Sequence, residues 1–202
     1  MPEDESSSSK SNLNWMKRHP LATYFVLAIG ITSICWVPTG IIASMRGYTL
    51  PSPVSFGEPI QSGFEDTPHA VISIIFSFGV YGPLLAAVIV TTIENGKAGL
   101  RELFGRIIKW RVGIKWYLAL LVLPLIIYIP SVLVGVLLGL SIPSPLELAV
   151  PLQYFIPFVL YQVFTSGLEE PGWRGYALPK LQTKYNAEKS SGILGILWSL
   201  WH

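Results

Sequence analysis

Three apolar runs, at about residues 21–43, 70–93 and 114–140, constrain this chain more than any other feature. Crossing about 30 Å of hydrocarbon takes roughly 20 apolar residues in a helix, and each run is long enough. Inside a bilayer the backbone must satisfy its own hydrogen bonds, so segments of this kind are expected as α-helices. A fourth run begins near residue 148 and leads through a charged stretch to about 180. A fifth, "SSGILGILWSLWH" at 190–202, is too short to cross. The expected fold is all-α: a multi-span integral membrane helical bundle with about five spans, the last incomplete. Pro38, Pro83, Pro124, Pro130 and Pro157 lie within these runs. They are expected to kink the helices, since neighbouring groups in a membrane bundle re-satisfy the backbone. No internal repeat is visible.

Composition agrees, with 51% hydrophobic and 13% charged residues against about 25% charged in soluble domains. A net charge of +2 gives no reason to expect a nucleic-acid partner. Cys35, the single cysteine, can form no internal disulfide. Residues 1–19 form a polar, low-complexity tail expected to be disordered, and 20–202 the membrane domain. The apolar stretch after Lys17 and Arg18 is long for a signal peptide and lacks a small-residue cleavage site. It is therefore read as a retained first span.

The basic residues alternate between connections. Lys10, Lys17 and Arg18 precede the first span, and Lys97, Arg101, Arg106, Lys109, Arg111 and Lys115 follow the second. Arg174, Lys180, Lys184 and Lys189 lie between the fourth and fifth; only Arg46, of 14 basic residues, falls elsewhere. Positive connections face the cytoplasm, which puts the N-terminus inside. Within the second connection, Leu100, Leu103, Phe104, Ile107 and Ile108 recur at helical spacing opposite Arg101, Glu102, Arg106 and Lys109. A basic amphipathic helix at the membrane surface, about 97–112, is expected, most simply as an interfacial connector.

The stretch "SGLEEPGWRGYALPKLQ" (166–182) sets charge where lipid surroundings give it no packing role. Glu169 lies 11 residues before Lys180, and His202 lies 13 after Lys189. At about 1.5 Å per residue both fall at similar depth, roughly 16–20 Å from the basic turn. Pro171 either continues the helix with a kink or opens a new one at its first position. Glu170 and Arg174 are four apart and are expected to pair. Glu169, about 100° around the axis, stays free of that pair and is the candidate general base, with His202 sharing its water or protonating a leaving amine. Such a set could hydrolyse a peptide bond without a Ser or Cys nucleophile. The plainer alternatives are a structural ion cluster at a membrane boundary and a packing histidine. His19 and His69 have no comparable company and are read as incidental. The tryptophans are read as interfacial anchors, with Trp173 and Trp198 the candidates for lining a substrate.

"EEPGWRGYALPKLQ" resembles the EExxxR motif of the CAAX prenyl protease and bacteriocin-processing (CPBP, Abi) family of glutamic intramembrane endopeptidases. "WSLWH" resembles its second motif, an aromatic residue (Trp198) four before a histidine (His202). "GLRELFGRIIKWRVGIKWYL" is similar to the family's segment between early spans. The resemblance covers about residues 75–202. It implies a helical membrane hydrolase open to the cytoplasm, in which Glu169 activates water, His202 assists, and Glu170 and Arg174 support them. The implied partners are the bilayer and a peptide or protein substrate, in some members lipidated; others are linked to bacteriocin immunity. The implied location is multi-pass in a cell membrane, a prokaryotic plasma membrane above all. No cofactor is expected; the alternative is a divalent metal on Glu169, Glu170 and His202, although zinc sites usually recruit more histidine.

The family's third motif, a histidine followed four residues later by Asn or Asp and thought to supply oxyanion donors, has no counterpart before His202. Loss of such donors costs about two to three orders of magnitude in rate. A carboxyl terminus midway through the bilayer is costly, so a longer native protein is expected, and this chain alone is expected to be inactive. Outside the enzyme class, a non-catalytic peptide-binding, immunity or scaffolding protein fits the same residues. A small-solute transporter is disfavoured by the lack of an inverted repeat.

Overall fold

The computed structural model describes residues 14–51, 64–108, 111, 113–140 and 152–202, and every element among them is helical. The chain divides into two compact units, Met1–Ile107 with Val159–His202, and Ile108–Phe158. Residues 14–18, expected within a disordered tail, are helical. Trp15 packs its ring 5.2 Å from that of His19 and its carbonyl accepts from the His19 N–H.

In the first unit, α1 (Pro20–Arg46) starts with Pro at its first turn, where a missing N–H costs nothing. It stops at Gly47, whose φ of 72° suits the left-handed cap. Pro38 sits inside it, and in that turn the Thr39 hydroxyl donates to the Cys35 carbonyl at 2.6 Å. The second expected span is not one helix. It comprises α2 (Thr67–Phe78), a 3-10 turn (Gly79–Tyr81) and α3 (Gly82–Ile107). The break serves the crossing with α1, where a Cβ on Gly82 would lie 2.2 Å from Thr32 Oγ1 and 2.8 Å from the Ala28 carbonyl. Buried Ala28, Ala86 and Ala87 continue the small-residue seam that lets membrane helices approach closely.

α3 bends at Gly96, whose φ of 56° and ψ of −144° are open to glycine and strained for other residues. The bend separates the apolar arm from the basic amphipathic segment, which is helical to Ile107 and of whose apolar face Leu103 is buried. Residues 109, 110 and 112 of that expected helix lie outside the described set.

The end of α1 and the start of α2 are tied by His69, which the sequence left without a role. It is buried; its Nδ1 accepts from the Glu65 N–H (3.2 Å), its Nε2 reaches the Thr49 carbonyl (2.9 Å), and its ring stacks on Tyr48 at 4.7 Å. Asp66 caps α2 by accepting from the His69 N–H at 2.7 Å.

The expected fourth span, 148–180, is divided: α5 (Leu152–Phe164), a turn, a π-helical segment (Pro171–Ala177) and α6 (Leu178–Gln182). Pro171 opens the π segment at its start, the second of the two outcomes its position allowed. α7 (Ala187–Trp201) begins three residues before the expected fifth span, because Asn186 caps it by accepting from the Lys189 N–H at 3.0 Å. The core of this unit gathers Tyr24, Val90, Leu103, Trp173, Tyr176, Leu181, Leu194 and Trp201.

The second unit contains α4 (Ile114–Leu137), 24 residues and apolar on every face, with Pro124 and Pro130 inside it. Among the described residues three stretches are long and apolar enough to cross a bilayer: Pro20–Arg46, Thr67–Ile107 and Ile114–Leu137. α5 and α7, 13 and 15 residues long, fall short of the roughly 20 needed.

Candidate active site

The EExxxR stretch lies on the turn and π segment that interrupt the fourth expected span. The turn is closed by Gly167 N–H to the Gln162 carbonyl (2.8 Å) and Gly172 N–H to the Glu169 carbonyl (3.0 Å). The two adjacent carboxylates stand just before the π segment and point apart. Glu169 is 6% exposed, while Glu170 turns outward and pairs with Arg174. No ion pair holds Glu169 among the described residues. The division expected from helical spacing is thus the geometry observed, although the backbone after Glu170 is π-helical.

Around Glu169 stand aromatic side chains from three elements. The indole N–H groups of Trp198 and Trp173 lie near its carboxylate, and both are buried without closing a hydrogen bond of ordinary geometry. Trp198 on α7 packs its ring 4.3 Å from the His202 ring, and Trp201 lies 4.7 Å from it on the other side. His202 itself is exposed, its Nδ1 3.4 Å from the Trp198 carbonyl. Trp198 therefore links Glu169 to His202 across two elements.

Several residues of this cluster were missed from sequence. Tyr24 on α1 is fully buried, packs edge-on against Trp173 (5.7 Å) and beside Tyr176 (5.1 Å), and lies within electrostatic reach of Glu169. Trp201 Nε1 donates to Thr32 Oγ1 at 2.8 Å, and that hydroxyl donates to the Gly79 carbonyl at 2.8 Å. This relay fastens the end of α7, and with it His202, to α1 and the 3-10 turn. Trp36 completes the wall, its ring 5.0 Å from Trp201 and its N–H on the Phe76 carbonyl. Glu94 near the end of the α3 arm receives the Tyr176 hydroxyl at 2.8 Å and Lys180 Nζ at 2.5 Å, tying the π segment and α6 to α3. Arg106 beyond the bend donates to the Gly175 carbonyl at 2.8 Å. A carboxylate at the very end of an apolar run, as Glu94 is, was the available signal, since such groups recruit a partner. Tyr24 and Thr32 carried none.

The alternative metal reading needs Glu169, Glu170 and His202 to converge. Among the described residues no group of three His, Cys, Asp or Glu side chains is placed to hold a metal ion, and Glu170 is committed to Arg174. Among the described residues, then, these three side chains do not converge on one ion.

The fold and the cluster define a helical membrane protein with a lone carboxylate buried among aromatic rings. Residues 151–202 match the family described as type II CAAX prenyl endopeptidase Rce1-like. CAAX prenyl protease 2 of Methanococcus maripaludis is 27% identical over 144 residues, which are 69% of this chain and 52% of that protein. The chain thus spans about half the length of this curated relative. Both findings support the assignment to the CAAX prenyl protease and bacteriocin-processing family made on the two motifs. No solved structure matches the chain.

Proposed function

We propose that this chain carries the water-activating part of a membrane-embedded endopeptidase whose substrate is a peptide or protein reaching the site from the cytoplasmic side. The observation that carries this reading is the separation of two neighbouring carboxylates: Glu170 is neutralised by Arg174, and Glu169 is buried without an ion-pair partner beside the rings that lead to His202. In this scheme Glu169 accepts a proton from water as the oxygen attacks the scissile carbonyl carbon. The proton then passes, from Glu169 or by way of His202, to the amine nitrogen as the C–N bond breaks. Burial strengthens each electrostatic contact made during that passage. The two indole N–H groups beside Glu169 supply donors for the water or the carbonyl oxygen. We place the protein in a cell membrane with its N-terminus cytoplasmic, and its substrate among chains carrying a lipid near the C-terminus, as the name of the matched family suggests.

Trp198→Phe tests the donor role directly. It keeps a ring against His202 and removes one N–H. Turnover of a prenylated peptide is expected to fall about 10²-fold while KM changes little; an unchanged kcat would remove Trp198 from the mechanism. A chelator is expected to leave turnover intact, because the donor set lacks a third ligand. Loss of activity restored by added zinc would reverse that conclusion.

A further inference from the structure

A second cavity lies away from Glu169, where the start of α1 meets the turn between α6 and α7. Its volume is about 620 Å³, within the range of small-molecule sites. Lys17, Arg18, His19, Lys180 and Lys184 line it, and no acidic side chain does. Lys180 is held by Glu94. Lys17, Arg18 and Lys184 have no carboxylate partner among the described residues. The remaining lining is of a different kind: Leu21, Phe25 and Ile193 form an apolar wall.

The two linings are ordered along the helices. The cationic groups sit at the helix ends, Lys17 to His19 just before Pro20 and Lys184 in the turn before Ala187. Phe25 and Ile193 are five and six residues further into α1 and α7, about 8–9 Å deeper at the helical rise. A cationic rim above an apolar wall matches one class of molecule, an amphiphile with a negative head and a hydrocarbon tail. Basic pockets between membrane helices on the cytoplasmic side bind anionic lipid headgroups by the same logic. A soluble phosphate would use the rim and leave the apolar wall bare.

We propose that this cavity is a binding site for an anionic phospholipid, with the headgroup phosphate held by Lys17, Arg18 and Lys184 and an acyl chain against Leu21, Phe25 and Ile193. The site is independent of the peptidase reading and its test uses no cleavage assay. The protein is reconstituted in nanodiscs of phosphatidylglycerol and phosphatidylcholine, and lipid retained after transfer to detergent is read by native mass spectrometry. Wild type is expected to retain phosphatidylglycerol selectively. The triple variant Lys17→Gln, Arg18→Gln, Lys184→Gln is expected to lose about one to two orders of magnitude in relative retention. A control triple, Lys97→Gln, Arg101→Gln, Lys189→Gln, removes as many exposed charges elsewhere and is expected to keep the selectivity. Circular dichroism of each variant checks that the helices persist. Equal retention of both lipids by wild type, or equal losses in the two triples, overturns the site. Displacement of bound lipid by inorganic phosphate at equal concentration would identify a free-phosphate site instead and overturn it as well.

Discussion

Glu169→Gln is expected to reduce peptide cleavage by about 10²–10⁴-fold, the range a positioned general base contributes, without lowering the thermal transition of the protein. Glutamine keeps the volume and a carbonyl acceptor but cannot take the proton of an attacking water. Glu169 has no ion pair among the described residues, so its loss strands no buried cation. The neighbouring pair behaves differently. Arg174 and Glu170 neutralise each other, and removing both partners together leaves no uncompensated charge. The double variant Glu170→Gln, Arg174→Gln is therefore expected to fold, with its effect confined to the orientation of the π segment. The measurement is turnover of a prenylated peptide in membranes of cells producing the protein, beside a detergent melting curve. Full turnover by Glu169→Gln with an intact melt would remove Glu169 from the mechanism, whereas no turnover by the wild type would leave a binding or immunity role as the better account.

Gly172→Ala is expected to be the most damaging small substitution. A Cβ there would sit 2.4 Å from the Pro83 carbonyl oxygen and 2.5 Å from its carbon. Both are backbone atoms at the start of α3, so neither can rotate away. Overpacking of this kind typically costs about 1–3 kcal/mol, and relief requires the π segment to withdraw from α3, taking Glu169 and Trp173 with it. Stability and turnover should therefore fall together. Gly175→Ala is the matched control: its Cβ would meet Leu103 Cδ1 at 3.3 Å, the end of a side chain that can shift, and a near-wild-type melt is expected. Equal melts for the two variants would show that the π segment does not depend on its contact with Pro83.

How the charged motif pairs was legible in the sequence because pairing depends on local spacing. Residues four apart on a helix meet, and Glu170 with Arg174 do so even though Pro171 turns the backbone π-helical between them. The arms carrying Glu169 and His202 were read as reaching equal depth from one basic turn, and Trp198 stands near both residues. Segment boundaries were less so. The break at Gly79–Tyr81 and the division of 148–180 follow from contacts with other helices, such as Gly82 against Thr32 and Gly172 against Pro83. Hydropathy does not register such contacts.

The sequence by itself determined that this is an all-helical membrane protein, that its charges alternate between connections, and which carboxylate stays unpaired. Those properties follow from the cost of bare backbone and bare charge in hydrocarbon, which each segment meets alone. Only the tertiary structure decided that α1 walls the site through Tyr24, Thr32 and Trp36, that Glu94 braces the π segment from 82 and 86 residues away in sequence, and that the cations at the two helix ends close on one cavity. These are encounters between helices whose facing surfaces are apolar or singly polar. No periodicity in one chain segment specifies which surface of another it will meet.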